Sequence, residues 1–209
     1  MNRRDVLLQL GTLALVASPA GLVLAQGSSA FTTLKPAVPS GNAEGKIEVI
    51  EFFHYGCNHC RAFDPLINIW KQKLPADVVF TRVPVIWSEE AKGWAALYYS
   101  LQAINKLDGV HEKVFAAVQD GHLPLHQLDG ARAWVVRQGV DEKAFTDAYR
   151  SFGLPARVRG ADQLAKEYKI TGVPTVAVGG KYTTSASQAG SHEATLQTAD
   201  RLIERVRKG

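Results

Sequence analysis

Residues 47–65 read IEVIEFFHYGCNHCRAFDP, and this stretch contains both cysteines of the 209-residue chain, Cys57 and Cys60. An apolar run of β-branched and aromatic residues over 47–55 predicts a buried strand. Apolar residues then recur at helical spacing over residues 57–73, which predicts a helix. The two sulfurs are therefore expected where a strand gives way to a helix.

The segments on either side extend this pattern into a split α/β unit. Residues 78–83 predict a second strand, and the short helical connection favours parallel pairing with the first. Residues 173–178 and 181–184 predict a hairpin across Gly179-Gly180, and residues 191–207 predict a final helix. The cysteine pair then lies at the carboxyl end of a strand in an open sheet, where such folds place their sites.

Between these two parts the pattern changes to helix after helix. Five helices are expected, over residues 89–107, 110–119, 128–139, 141–150 and 154–169. Ser88 and Asp141 are expected to cap the first and the fourth of them, and Ser191 the final helix of the chain. We therefore divide the chain after its first 25 residues into a first α/β part over residues 26–87, an inserted all-helical domain over residues 88–163 and a second α/β part over residues 164–209.

The first 25 residues predict a cleaved export signal. Arg3 and Arg4 precede an apolar run over residues 6–16, and Val23-Leu24-Ala25 fits a small-x-small cleavage site before Gln26. A membrane anchor is disfavoured because the run is shorter than the roughly 20 residues that span a bilayer. The sequence leaves open whether export uses the general or the twin-arginine route.

The charge of the chain gives no sign of a nucleic-acid partner. The formal net charge is +4, and +3 remains without the signal, which carries two Arg and one Asp. The excess is spread out and forms no basic cluster, so we expect no nucleic-acid binding.

The cysteine pair is suited to redox chemistry in an oxidising compartment. A thiolate is both the better nucleophile and the better leaving group, and the first turn of a helix favours a negative sulfur. Cys57 falls at that turn and is expected to be the attacked sulfur, with Cys60 as its less exposed partner. His59 can stabilise the Cys57 thiolate by charge or hydrogen bonding, which would make the disulfide a stronger oxidant.

Two other interpretations of the pair are weaker. A zinc site needs two more ligands, but the chain has no other cysteine. A purely structural disulfide that closes four residues would remove little entropy from the unfolded chain. We therefore predict no metal and no cofactor beyond the redox-active disulfide Cys57–Cys60.

Val173-Pro174 is a second candidate feature. The pair follows Thr171-Gly172, and a proline near a glycine and just before a strand suits a cis peptide bond, but it suits a trans strand-opening proline as well. A cis bond would turn the Val173 backbone towards the sulfurs and offer hydrogen bonds to an extended substrate.

Glu51 is a third candidate, because it interrupts an apolar strand six residues before Cys57. It could lie outward at an edge or pair with a lysine such as Lys46. Alternatively it could be a buried carboxyl with a raised pKa that exchanges protons with Cys60. The sequence does not decide between these interpretations.

The stretch IEVIEFFHYGCNHCRAFDP and the later ITGVPTVAVGGKY together resemble the DsbA family of periplasmic thiol:disulfide interchange proteins. The resemblance spans nearly the whole chain after the signal. It implies a thioredoxin fold, a mixed sheet flanked by helices, with an inserted all-helical domain. Asn58 departs from the best-known members, which have proline there, and this departure bears on the oxidising power.

The resemblance also implies the roles of individual residues. It implies Cys57 as nucleophile, Cys60 as buried partner, His59 as thiolate stabiliser, cis-Pro174 as substrate contact and Glu51 as buried acid.

The function implied is that of a periplasmic dithiol oxidase. It would donate its disulfide to unfolded, newly exported proteins that contain cysteines, and a DsbB-type quinone-linked membrane oxidase would reoxidise it. We expect a monomer. A reductase or isomerase on the same fold is the nearest rival, and a non-catalytic carrier of peptides or metals is a rival of another class.

Overall fold

The computed structural model describes residues 29–39 and 45–209. The predicted signal over residues 1–25 and its cleavage site lie outside the described residues. Within the described part, no helix is both long enough and apolar enough to cross a membrane.

Among the residues that the structure describes, five strands form one mixed sheet in the order β1-β5-β4-β2-β3. The interior strand β2 pairs in parallel with β3, from Ile47 opposite Val78 to Phe53 opposite Pro84. On its other side β2 pairs antiparallel with β4. The predicted parallel pairing of the two long strands is thus confirmed. The strands are β1 Thr32–Thr33, β2 Ile47–Phe53, β3 Val78–Pro84, β4 Thr175–Val178 and β5 Tyr182–Thr184.

The predicted hairpin joins β4 to β5. Gly179 and Gly180 have φ angles of +60° and +66°, as a two-residue turn with two left-handed positions requires. A Cβ atom on Gly180 would lie 2.0 Å from the Val38 carbonyl oxygen, so only glycine fits there. Strand β4 begins at Thr175, two residues later than predicted, so that the Val173-Pro174 pair precedes the strand.

Eight helices accompany the sheet in the described residues, and five of them, α2 to α6, come between β3 and β4. They are α1 Asn58–Lys71, α2 Glu89–Ala103, α3 His111–Gln119, α4 Leu128–Arg137, α5 Glu142–Tyr149, α6 Leu154–Glu167, α7 Ala186–Ala189 and α8 His192–Arg207. The sequence did not predict α7, which is only four residues long. Helix α6 continues past residue 163, and the predicted domain boundaries stay a prediction.

The predicted helix caps are present. In each case the cap side chain accepts a hydrogen bond from the backbone N–H three residues later. The distances are 3.1 Å at Ser88, 2.7 Å at Asp141 and 3.0 Å at Ser191. Such a cap is worth about 1 kcal/mol of helix stability. These three residues therefore fix where α2, α5 and α8 begin.

The core has two parts. One lies where β2 and β4 meet α1 and α8, and it includes Val49, Phe63 and Val178. The other extends from the sheet into the inserted helices, and it includes Phe53 and Cys60. Because the second part is continuous, the inserted helices pack directly against the end of β2 that leads to the cysteines.

Candidate active site

Cys57 is the N-cap residue of α1. Its sulfur accepts a hydrogen bond from the backbone N–H of Cys60 at 3.4 Å, so the start of the helix is capped by a thiol sulfur. Cys57 is partly exposed, whereas Cys60 is fully buried. Both sulfurs are free thiols in this structure. The local structure therefore exposes one sulfur to a partner and hides the other.

The two thiols differ sharply in acidity. The pKa of Cys57 is lowered to about 6, and the largest cause is a hydrogen bond that the Cys60 thiol donates to the Cys57 sulfur. Burial acts in the opposite direction and raises this pKa, whereas the backbone N–H groups of Cys60 and His59 lower it further. Burial raises the pKa of Cys60 far above its ordinary range, followed by its hydrogen bond and charge interaction with Cys57. At neutral pH Cys57 is therefore mostly a thiolate, and Cys60 keeps its proton.

His59 is exposed, and its ring lies 6.3 Å from that of His192. Its charge favours the Cys57 thiolate, as expected, but it comes after the hydrogen bonds from Cys60 and from the backbone. Asn58 takes part as well, because its side-chain oxygen accepts the His59 N–H at 2.8 Å. Asn58 therefore competes with the Cys57 sulfur for one of its donors.

The Val173-Pro174 pair lies beside the exposed sulfur. The peptide bond between the two residues is cis. The Val173 carbonyl oxygen is 3.5 Å from Cys57 Sγ, and the Thr175 hydroxyl donates to the Gly172 carbonyl at 2.7 Å. The predicted approach of this backbone to the sulfurs is thus present in the structure.

Gln119 is a site residue that the sequence did not indicate. Its side-chain amide donates to the carbonyl oxygens of Tyr55 at 2.7 Å and Cys57 at 3.1 Å. The end of α3 is thereby tied to the backbone around the reactive sulfur. No local pattern marks this glutamine, because its partners lie more than 60 residues away.

Glu51 lies on β2, an interior strand of the sheet, and is fully buried. The edge interpretation is therefore wrong. Its partner is Arg82, whose Nε donates to Glu51 at 2.6 Å, while Lys46 donates instead to the Ala76 carbonyl. Burial raises the pKa of Glu51, although Arg82 opposes the shift.

Arg82 also donates a hydrogen bond to a second carboxylate. One of its terminal nitrogens donates to Asp64 at 2.8 Å and to Asn68 at 2.9 Å. Burial also raises the pKa of Asp64, again against the charge of Arg82. Two buried carboxylates thus share one guanidinium, a set that favours retention of a proton by the pair.

His111 and Tyr55 continue this buried set. The Tyr55 hydroxyl lies 2.7 Å from His111 Nδ1, and His111 Nε2 lies 3.5 Å from Asp64. Burial lowers the pKa of His111 well below its ordinary value, and Arg82 and Lys71 act in the same direction. His111 is therefore neutral, and its contact with Asp64 is not an ion pair.

One signal in the sequence could have revealed Arg82. Like Glu51, it interrupts an apolar strand, and in the parallel register of β2 and β3 the two residues are direct partners. Aligning the two predicted strands would have placed the charges side by side. Asp64 and His111 offered no such signal, since each lies on a helix whose packing the sequence did not specify.

Comparison with known proteins places this site in a family. Residues 67–197 match the DSBA-like thioredoxin domain family. The chain is 41% identical over 177 residues to the thiol:disulfide interchange protein DsbA of Pseudomonas syringae pv. tomato, covering 85% of this chain and 82% of that protein. The chain belongs to the DsbA family. The DsbA of Bordetella pertussis is 40% identical over 185 residues, with 88% of each protein covered.

Solved structures agree with this assignment. The crystal structure of Pseudomonas aeruginosa DsbA superposes with a TM-score of 0.82 at 38% identity, covering 86% of this chain and 93% of that one. The predicted thioredoxin fold with a helical insertion is confirmed. The chain is accordingly a thiol:disulfide oxidoreductase of the DsbA family.

Proposed function

We propose that this DsbA-family chain is a disulfide oxidase, which donates its Cys57–Cys60 disulfide to proteins that contain reduced cysteines. The observation that carries the proposal is the contrast between the two thiols. A pKa of about 6 for Cys57 favours the reduced state, because that state then carries a stabilised thiolate. A disulfide whose reduced form is stabilised is the stronger oxidant.

The reaction takes two exchanges. A substrate thiolate attacks the Cys57 sulfur, the Cys57–Cys60 bond breaks, and its electron pair leaves on the Cys60 sulfur, which takes up a proton. A second substrate thiolate then attacks the substrate sulfur of the mixed disulfide, and Cys57 leaves as a thiolate. The substrate loses two electrons and the protein gains them, and the low pKa of Cys57 assists the second exchange.

Glu51 is assigned the exchange of protons with Cys60. Its charge is among the groups that raise the pKa of Cys60, so the two groups are electrostatically coupled. A buried carboxyl with a raised pKa can hold a proton at a pH where an exposed one cannot. The burial of Glu51 and its raised pKa support this role.

His59, Val173 and Pro174 complete the proposed site. His59 stabilises the thiolate through its charge and its backbone N–H. Val173 and Pro174 contact the substrate chain beside Cys57, and the short distance between the Val173 carbonyl and the sulfur supports this placement.

The cellular setting follows from the family and from the predicted signal. We propose that residues 1–25 direct the chain to the periplasm, where it acts as a monomer on newly exported proteins. A DsbB-type quinone-linked membrane oxidase would restore the disulfide. No cofactor besides the cysteine pair is required for the two exchanges.

The experiment is to mix the oxidised protein with a reduced two-cysteine peptide and follow disulfide formation. The wild type should oxidise about one peptide per protein, and Cys57→Ser should oxidise none. Cys60→Ser has no disulfide to donate, but with a peptide that already carries a reactive disulfide it should accumulate a mixed disulfide through Cys57. A carrier would keep its peptide affinity in Cys57→Ser without oxidising anything. A potential near that of the glutathione pool, about −220 to −260 mV, would instead favour the reductase alternative.

A further inference from the structure

A groove of about 790 Å³ opens beside the reactive sulfur. Residues of three segments line it, within 32–35, 168–175 and 183–188, and His59 and His192 complete its wall. Val173, whose carbonyl oxygen is 3.5 Å from Cys57 Sγ, belongs to the lining as well. A chain segment that continues from a cysteine bound at Cys57 can therefore enter this groove.

The charged groups of the groove are all basic. Lys35 and Lys169 are both exposed, and the Lys169 ammonium lies 3.5 Å from the Lys35 carbonyl oxygen, so the two lysines flank one part of the groove. The imidazoles of His59 and His192 lie on the same lining. In the described part of the chain, none of the residues that line this groove carries a carboxylate.

Two of the neighbouring carboxylates, Glu167 and Glu193, make contacts of their own outside the groove. Glu167 accepts a hydrogen bond from Gln163 at 2.9 Å on helix α6. The pKa of Glu193 is lowered by hydrogen bonds to its own backbone N–H and to Ser191 at the start of α8. Neither carboxylate lines the groove, so neither neutralises Lys35 or Lys169 by contact.

The remaining wall is rich in hydroxyl and amide groups. Gln188 donates to the Thr32 hydroxyl at 2.7 Å across the groove lining, and the hydroxyls of Ser185 and Ser187 lie 2.8 Å apart. Such a wall can hydrogen-bond to a polar, extended chain.

We infer that this groove binds the substrate segment next to the reacting cysteine and selects segments that carry Asp or Glu over segments that carry Lys or Arg. The inference rests on the proposed oxidase function and adds a substrate class to it. Exposed ion pairs are individually weak and are screened by salt. The selection should therefore be a modest difference in reaction rate and not a strict requirement.

The test uses three single-cysteine peptides of equal length, with flanking Asp, Ser or Lys residues, and the oxidised protein. The rate of mixed-disulfide formation with the protein is divided by the rate at which the same peptide reacts with a small uncharged aromatic disulfide. This ratio removes the effect of the flanking charges on the reactivity of the peptide thiol itself. We expect the normalised rate to be about three- to tenfold higher for the Asp peptide than for the Lys peptide at low salt, and the ratio to fall towards one in about 1 M salt.

The matched variants are the double substitutions Lys35→Glu/Lys169→Glu and Lys113→Glu/Lys208→Glu. Both change the net charge equally, but Lys113 and Lys208 are exposed lysines outside the groove. The groove variant should abolish or invert the preference, and the control variant should keep it. Equal normalised rates in the wild type, or the same loss in both variants, would overturn the inference. If the Ser peptide also fails to react, the oxidase proposal itself fails.

Discussion

The Sγ atom of Cys57 lies 3.5 Å from the carbonyl oxygen of Val173, although 116 residues separate them in the chain. Cys57 follows β2 and Val173 precedes β4, and these two strands are antiparallel neighbours. The five inserted helices lie between them in the sequence. The site is therefore completed by strand pairing, because neither segment alone brings a substrate contact to the sulfur.

Glu51→Gln should slow the step in which reduced Cys60 gives up its proton during reoxidation. Glutamine keeps the shape of the side chain but cannot exchange a proton, so we expect a loss of at least about tenfold near neutral pH. Stopped-flow reoxidation by a small disulfide over a range of pH measures it.

Glu48→Gln is the matched control for this substitution, since it changes a less buried carboxyl on the same strand. The reoxidation rates of Glu48→Gln and Glu51→Gln should differ clearly. Equal reoxidation rates and pH profiles for wild type and Glu51→Gln would exclude a proton-exchange role for Glu51.

Arg82→Met should destabilise the fold by about 3–5 kcal/mol at neutral pH, because it leaves Glu51 and Asp64 buried without a cation. In this variant the folded-state pKa values of both carboxyls stay raised above their unfolded values. Their contribution is therefore favourable below the unfolded pKa and is lost as pH rises. The deficit measured by urea unfolding should shrink as the pH falls towards about 4.

Arg61→Met provides the comparison for Arg82. It breaks the exposed pair with Asp120, in which the side chains are 39% and 64% exposed. That substitution should leave the free energy of unfolding nearly unchanged, because solvent screens an exposed pair. A similar cost for both variants would mean that the buried set is not held by Arg82.

Neighbouring positions in the motif should act on Cys57 in opposite directions. His59→Ala removes a charge that favours the thiolate, so the pKa of Cys57 should rise and the protein should become a weaker oxidant. Asn58→Ala frees the His59 N–H from the Asn58 side chain, so the pKa should fall and the protein should become a stronger oxidant. Redox equilibration with glutathione measures both.

His192→Ala is the control for these two variants, because that ring lies 6.3 Å from the His59 ring but is not among the main groups that set the pKa of Cys57. Its equilibrium with glutathione should match that of the wild type. Shifts of the same sign in His59→Ala and Asn58→Ala would contradict the arrangement of donors described above.

The reduced protein should lose stability as the solution becomes acidic. The folded-state pKa of Cys57, about 6, lies below its unfolded value of about 8.5. A depressed pKa contributes stability that is fully present above the unfolded value and is lost as pH falls through the folded value. Urea unfolding of reduced wild type and reduced Cys57→Ser should therefore differ most at high pH and converge below pH 6. A difference that does not change with pH would contradict this linkage.

Much of the fold could be predicted because local sequence patterns determine it. The strand before Cys57, the hairpin at Gly179-Gly180 and the caps Ser88 and Ser191 depend on residues within a few positions of one another. The start of β4 was misplaced because β-branched Val173 fits a strand by composition. Its place outside the strand accompanies a tertiary contact, the approach of its carbonyl oxygen to Cys57 Sγ, which no local pattern indicates.

The parts of the site that the sequence did not reveal depend on tertiary contacts. Gln119 and His111 lie on a helix whose packing against the sheet no periodicity specifies. The low pKa of Cys57 was expected from the helix start and His59, whereas the hydrogen bond from Cys60 is the larger cause in the structure. That bond depends on how deeply Cys60 is buried, which only the packed core determines.

The proposed oxidase function depends on a low pKa of Cys57, which can be measured by ultraviolet absorbance of the thiolate in the reduced protein, with Cys57→Ser as the blank. We expect a single transition with a midpoint near pH 6, and no second thiolate at neutral pH, because Cys60 stays protonated. A midpoint near the ordinary cysteine value of about 8.5 would contradict it. The reduced state would then have no special stability, and the disulfide would have no reason to be a strong oxidant.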